Sequence, residues 1–370
     1  MPLANLPPEL ILQISGFLGH KDLNSLAQTS RVNYQLLNPS LYRSILRSDQ
    51  SRALDRAIYR GHVSTLKRLI EYGANVPPIY SRESRIIMAG RRGHVAMVAF
   101  LIDREGPGGV EKYFLYDIAV RTGNVPMLQI LVERGLRVVN PDWSLIAAAK
   151  RGHLRMLEYL VSQHRDFNRS YTIMHGALYW GICRRRVAVV KFLLSKGVSP
   201  NGKPSQRKCE PLLNIAVARG TLEIVRLLLD HGARPFKEET LLLVGENLSQ
   251  PIEIARLLLA RFPELKSQLP GLLVKAARHR SGYSSLVSFV LSQGVDPNYA
   301  TPGERKVLSI AVVLGNVGCV RALLGAGANP LLPDMDGATT LDLAKERPYR
   351  KNHVILGLIL EVSRRVAGSG

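Results

Sequence analysis

Apolar residues along this chain recur in blocks of fixed period. The stretches RAIYRGHVSTLKRLIEYGANV (56–76), IMAGRRGHVAMVAFLIDREG (87–106), DIAVRTGNVPMLQILVERGL (117–136) and IAAAKRGHLRMLEYLVSQH (146–164) align, and so do NIAVARGTLEIVRLLLDHGARP (214–235) and SIAVVLGNVGCVRALLGAGANP (309–330). In all six an alanine stands four residues before a glycine: Ala57/Gly61, Ala89/Gly93, Ala119/Gly123, Ala148/Gly152, Ala216/Gly220 and Ala311/Gly315. The first four glycines are 32, 30 and 29 residues apart. After each glycine the apolar positions take helical spacing, as in Leu66, Leu69, Ile70 and Val225, Leu228, Leu229. The pattern predicts a short helix, a glycine turn and a second amphipathic helix per block. Alanine permits close packing of the first helix, and glycine permits the left-handed residue that ends it. One such unit cannot bury its apolar face alone, whereas stacked copies can.

These units resemble ankyrin repeats, whose pattern is T-P-L-H-x-A-A-x-x-G-H followed by an apolar helix and G-A-x-x-N. Pro211 to Pro235 is the most faithful copy, and TIMHGALYWG (172–181) offers Thr172 and His175 for the T-P-L-H position. Most other units lack that Thr and His, having for example Ala53-Leu54-Asp55 or Arg85-Ile86-Ile87. The unit at 240–262 has Gly245 where alanine belongs and Ser249 at the turn. CRRR (183–186) reads as a lengthened inter-helix turn, NGKPSQRKCE (201–210) as a lengthened finger loop, and 278–282 as extra residues before Gly282. A last unit opens at GATTLDLA (337–344) and closes with a helix over roughly 353–362. The expectation is an all-α ankyrin-repeat solenoid of about ten units, with β-hairpin-like finger loops, over residues 50–365, and a tail at 366–370.

The opening block, assigned to residues 1–49, does not follow this period. Leu10, Ile11, Ile14, Phe17 and Leu18 share one broad helical face after Pro7 and Pro8. Gly16 and Gly19-His20 break that helix, a second starts near Lys21, and a third continues through Val32, Leu36 and Leu37 until Pro39. Three helices in some 40 residues make a small core that calls for a partner surface. The block resembles the F-box: Leu6-Pro7 with Glu9, then Leu10, Ile14, Leu18, Asp22-Leu23, Leu26, Ser30-Arg31 and Leu41-Tyr42-Arg43. That resemblance implies docking on a Skp-type adaptor of a cullin-RING ubiquitin ligase, with Leu6, Pro7, Leu10, Ile11, Ile14, Leu18, Leu23 and Leu26 as interface positions. The same leucines could instead cap the open end of the repeat stack, with Tyr42, Ile45 and Leu46 packing on the first repeat.

Composition narrows the classes. Hydrophobic residues make up 46% and charged residues 21%, which supports a packed core. Three cysteines, Cys183, Cys209 and Cys319, lie far apart, so a reducing compartment is expected and a disulfide framework is not. The first residues show no secretory signal pattern and no apolar run is long enough to span a bilayer, so an intracellular protein of cytoplasm or nucleus, without membrane association, is expected. No phosphate loop, nucleophile elbow or H-E-x-x-H motif occurs, and Gly106-Pro107-Gly108-Gly109 reads as a finger-loop turn. His62, His94 and His153 follow turn glycines and recur with the repeat, which spreads them apart instead of converging them on a metal or substrate. No active site, cofactor or metal is expected.

The net charge of +21, from 50 Lys and Arg against 29 Asp and Glu, implies acidic partners. Basic residues precede the turn glycines at Tyr59-Arg60, Arg91-Arg92, Arg121-Thr122, Lys150-Arg151 and Ala218-Arg219, and stacking would align them into a ribbon joined by Arg184, Arg185 and Arg186. Cations at helix C-termini also complement the macrodipole, about 0.3–1 kcal/mol each, so the ribbon has a structural explanation beside a binding one. Candidate target contacts are Arg60, Arg91, Arg92, Arg121, Arg151, Trp143, Tyr171 and Trp180, with Tyr179 and Tyr299. The combined expectation is a non-catalytic substrate receptor of an SCF-type ubiquitin ligase, resembling fungal proteins with an F-box and ankyrin repeats. An ankyrin scaffold unrelated to ubiquitin is the alternative, and nucleic-acid binding is disfavoured because no aromatic-basic single-strand platform is evident.

Overall fold

A computed structural model describes residues 6–75, 85–105, 109–135, 141–163, 171–201, 211–235, 239–247, 249–279, 283–346 and 352–367. Residues 106–108 of the Gly106–Gly109 turn, the 202–210 loop with Cys209, and residues 280–282 of the insertion read at 278–282 lie outside these residues.

The opening block consists of α1 (Pro8–Ser15), α2 (His20–Ala27) and the first part of α3 (Arg31–Tyr59). Pro8 begins α1, where its missing N–H leaves no ladder bond unmade. Ser30 caps α3 by accepting a hydrogen bond from the Asn33 N–H at 3.0 Å. Ile11, Leu23, Leu26, Ala27, Leu37 and Leu41 form one closed core, with Leu6, Leu18, Leu36 and Ile45 packed around it. Pro39 does not stop the third helix as its sequence context suggests; α3 runs through it. Leu37 and Leu41, on either side of the proline, are both buried in that core, and this burial outweighs one lost ladder bond. The break falls instead at Asp49, whose backbone leaves helical geometry at φ −162° and ψ 79°.

Beyond Asp49 the chain is a series of helix pairs. The remainder of α3 pairs with α4 (Val63–Glu71), then α5 (Arg85–Arg91) with α6 (Val95–Glu105), α7 (Gly109–Thr122) with α8 (Val125–Glu133), and α9 (Pro141–Arg151) with α10 (Leu154–Gln163). These are followed by α11 (Tyr171–Cys183) with α12 (Val187–Ser195) and α13 (Leu212–Arg219) with α14 (Leu222–Asp230). A 3₁₀ turn (Leu242–Glu246) takes the place of a first helix before α15 (Pro251–Arg261), and a second 3₁₀ turn (Pro263–Gln268) leads into α16 (Leu269–Arg278) and α17 (Ser284–Ser292). The chain ends with α18 (Val307–Val313) and α19 (Val317–Gly325), then α20 (Thr340–Glu346) and α21 (Asn352–Ala367). The last helix is longer than its sequence pattern suggests, because Ile355, Ile359 and Ser363 bury one stripe and carry it into the expected tail. No strand occurs among the described residues. Two finger loops are held by single antiparallel bridges, Ala300 to Lys306 and Pro333 to Thr339.

The alanine–glycine spacing has a direct structural cause. At four of the six turns the residue after the glycine donates its N–H back to the alanine carbonyl: His62 to Ala57 at 2.9 Å, His94 to Ala89 at 3.0 Å, Asn124 to Ala119 at 2.9 Å and Asn316 to Ala311 at 3.0 Å. This closure requires a left-handed residue between them, and Gly61, Gly93, Gly123 and Gly315 have φ of 71°, 76°, 72° and 69°.

That register corrects the reading of the fifth pair. Arg186 N–H donates to the Gly181 carbonyl at 2.8 Å, and Arg185 has φ 54°. Gly181 therefore stands where alanine is found elsewhere, and Arg185 takes the glycine's place. The CRRR turn is of ordinary length, not extended, and the T-P-L-H position falls on Gly176 to Tyr179, one turn beyond Thr172 and His175. The sixth pair departs from its faithful sequence: Gly220 has φ −77° and ψ −166°, not a left-handed backbone. A Cβ there would lie 2.5 Å from the Ala216 carbonyl oxygen, so close approach is what requires glycine. The buried Asn247 amide donates to the Val217 and Gly220 carbonyls at 2.9 and 3.3 Å, satisfying groups the usual turn would pair.

The helices form two compact units, Met1–Ala148 with Arg155–Arg165, and Ala149–Leu154 with Asp166–Gly370.

Candidate functional site: an apolar front on the first block and cationic turn edges

Within the first unit, the eight apolar positions expected to meet an adaptor separate into two groups. Ile11, Leu23 and Leu26 are 4%, 1% and 9% exposed and belong to the block's own core, with Leu6 and Leu18 half-buried against it. Their work is internal, as three small helices must close some core before presenting any surface. Pro7, Leu10 and Ile14 remain exposed. Beside them stand Leu12 and, most exposed of all, Phe17 at 91%. Phe17 continues the apolar spacing of Leu10 and Ile14 in the sequence, but α1 ends at Ser15 and its ring lies outside the core. Val32, at the start of α3, is 65% exposed.

Residues of α3 tie the block to the first repeat. Tyr42 stacks on Tyr72 with ring centroids 5.4 Å apart. Arg68 donates from Nη1 to the Tyr34 hydroxyl oxygen at 2.6 Å, and this bond lowers the phenol's pKa below its ordinary value. Gln50 Nε2 donates to the Asn75 carbonyl at 2.7 Å. The block thus both contacts the first repeat and leaves apolar residues exposed.

The turn edge of the first unit carries Arg60, Arg91, Arg92 and Arg121, all exposed. Part of this charge is already engaged. Arg92 lies 3.8 Å from the Tyr59 ring centroid and donates to its hydroxyl. Arg121 donates from Nε to Asp117 Oδ1 at 2.7 Å and lies 5.4 Å from the Trp143 ring centroid. His94 Nε2 sits 2.9 Å from the Tyr59 carbonyl oxygen, a bond to the backbone of the preceding turn.

In the second unit, Arg151, Arg184, Arg185, Arg186 and Arg219 are exposed along the corresponding edge. Lys150 Nζ lies 4.0 Å over the half-buried Trp180 ring, and Arg184 Cζ lies 6.0 Å from the same centroid. Tyr179 meets Trp180 edge-on at 5.5 Å, so the indole is a packed platform for cations. Tyr299 is half-buried, and its carbonyl accepts the Val307 N–H at 3.1 Å in a finger loop. Tyr171 opens α11; its side chain is outside the described residues.

Among the described residues no group of three His, Cys, Asp or Glu could hold a metal ion. Cys319 is buried, and desolvation pushes its thiol pKa up to about 11, away from nucleophilic use. No helix among the described residues is long and apolar enough to cross a membrane.

Residues 3–48 match the F-box-like family, and residues 118–204 match ankyrin repeats in three copies. The chain carries an F-box-like segment followed by ankyrin repeats. Among curated proteins it is similar to the putative palmitoyltransferase ZDHHC13 of Danio rerio, 29% identical over 214 residues, 55% of this chain and 33% of that protein. It is also similar to ankyrin repeat and SOCS box protein 14 of Homo sapiens, 28% identical over 189 residues, 51% of this chain and 28% of that protein. The chain thus spans a third or less of the length of these two relatives. A solved structure, the human ASB11 ankyrin repeat domain, overlaps 56% of this chain and 96% of its own at 23% identity and a TM-score of 0.43.

Proposed function

We propose that this F-box/ankyrin chain is a non-catalytic substrate-recognition subunit of an SCF-type, cullin-RING ubiquitin ligase. In this reading Pro7, Leu10, Ile14 and Phe17 seat the F-box-like segment on a Skp-type adaptor, and the ankyrin repeats hold the protein to be modified. Catalysis is supplied by proximity: tethering raises the target's effective concentration beside the ligase's charged ubiquitin carrier, and no residue of this chain takes part in bond making. The observation that carries the reading is an exposed apolar front on a block whose own core is complete, in a segment that matches the F-box-like family. Leu10 and Phe17 stand outside the block's core cluster, and docked apolar side chains are what such a face suits.

The test is complex formation between the full chain and a purified Skp-type adaptor, followed by size-exclusion chromatography. A stoichiometric complex that is lost with Leu10→Asp plus Phe17→Asp supports the reading. No complex, or one unaffected by those substitutions, overturns it in favour of an ankyrin scaffold unrelated to ubiquitin.

A further inference from the structure

The turn edge of the second unit concentrates six cations, Lys150, Arg151, Arg184, Arg185, Arg186 and Arg219, none of which forms an ion pair with a carboxylate among the described residues. Contacts make it one surface. A Cβ on Gly152, next to Arg151, would lie 2.7 Å from Arg186 Cδ, so the Arg186 stem lies on the preceding turn. Lys150 and Arg184 share the Trp180 ring, and Arg185 Nε donates to the Arg219 carbonyl at 2.7 Å.

Arg185 makes this edge unusual. Among the described residues it is the only non-glycine with positive φ, and it occupies the place that glycine takes in neighbouring turns. The chain accepts a strained backbone there and gains a guanidinium in the middle of an already repulsive cluster. The Arg185 bond to the Arg219 carbonyl offsets part of that cost, and strain held at a single site within a cluster of like charge points to function.

We propose that this edge is the docking surface for an acidic, Asp/Glu-rich segment of the captured protein, a specificity that rests on the substrate-receptor reading. Arginine forks pair with carboxylates through paired N–H donors, and unpaired cations in one row match a run of acidic side chains. Nucleic acid fits less well: the Trp180 face is covered by Lys150, so it is not free to stack on a base.

The experiment titrates the full chain into a labelled peptide of consecutive Asp and Glu residues, read by fluorescence anisotropy. Its arms are the Asn/Gln version, a phosphoserine peptide of equal charge and a single-stranded oligonucleotide of equal charge. The expected result is binding to the acidic peptide and none to the neutral one, weakening at least about tenfold between low and moderate salt. Arg184→Glu with Arg219→Glu abolishes it, while Arg60→Glu with Arg91→Glu, on the first unit, leaves it within about twofold of the parent. Arg185→Gly weakens binding while the thermal midpoint stays level or rises, which separates lost binding from lost folding.

Equal loss from both charge-reversed pairs would mean diffuse attraction to a basic protein and would overturn the proposal. So would tighter binding of the phosphopeptide or the oligonucleotide, or an Arg185→Gly chain that is folded and binds unchanged. Adaptor binding is measured on the same preparations. A chain that binds adaptor but not acidic peptide refutes this inference alone, and one that binds peptide but not adaptor refutes the ligase reading alone.

Discussion

Tyr42 of α3 and Tyr72, which follows α4, lie face to face with planes only 16° apart, and this stack joins the F-box-like segment to the first repeat. Stacked rings contribute about 0.5–1.5 kcal/mol beyond their buried area. In a double-mutant cycle of Tyr42→Ala and Tyr72→Ala, followed by urea unfolding, a coupling of that size is expected. Additive single effects would show that the rings touch without stabilising.

Leu23 and Leu10 are two leucines of one block with different surroundings, the first buried and the second 44% exposed. Leu23→Ala should lower stability by about 2–5 kcal/mol, whereas Leu10→Asp with Phe17→Asp should change it by roughly 0.5 kcal/mol or less. Thermal and urea unfolding of the uncomplexed chain measure both. Equal destabilisation would show that the front is part of the core, removing the structural basis for docking there.

Gly135 and Gly152 separate two reasons for a turn glycine. Gly135 has φ +82° with nothing within 4 Å of a built Cβ, while Gly152 has φ +84° and Arg186 Cδ at 2.7 Å. Gly135→Ala is expected to cost about 1–2 kcal/mol from the left-handed backbone alone. Gly152→Ala should cost more, and adding Arg186→Ala should recover the excess. If the two alanines cost the same, the arginine stem yields freely.

His175 is buried in α11, and desolvation lowers its pKa below the ordinary value of 6.5. The folded state therefore binds a proton less readily than the unfolded chain. Its contribution is fully present above pH 6.5 and is lost as pH falls through the depressed folded value. Unfolding midpoints measured downward from neutral pH should decline, and His175→Gln should flatten that part of the curve. An identical decline in the variant would assign the acid sensitivity to other groups.

Much of the repeat architecture was legible because its causes are local. An alanine four residues before a glycine is what a helix ending in a left-handed residue requires, and the bonds from His62, His94, Asn124 and Asn316 realise that closure. Legibility failed where the same closure used other residues. Gly181 and Arg185 fill the alanine and glycine places, so a search for the letters slips by one turn. At Asn247 a buried amide completes the turn from the following repeat, and no local pattern reports a bond 27 to 30 residues away.

The order of residues by itself determined the helix pairs, their turns, the three-helix opening block and the surplus of positive charge, since these follow from short-range spacing and composition. Tertiary packing alone decided which leucines of that block face inward, since Ile11, Leu10 and Ile14 are alike in polarity and differ only in what α2 and α3 cover. It also carried α3 through Pro39, where burial of Leu37 and Leu41 exceeds the loss of one backbone bond. And it decided which cations are engaged: Arg92 and Arg121 meet Tyr59 and Asp117, while the arginines around Trp180 find no carboxylate among the described residues. Charge is a property of the residues, but whether a charge is free depends on what the fold places within about 4 Å of it.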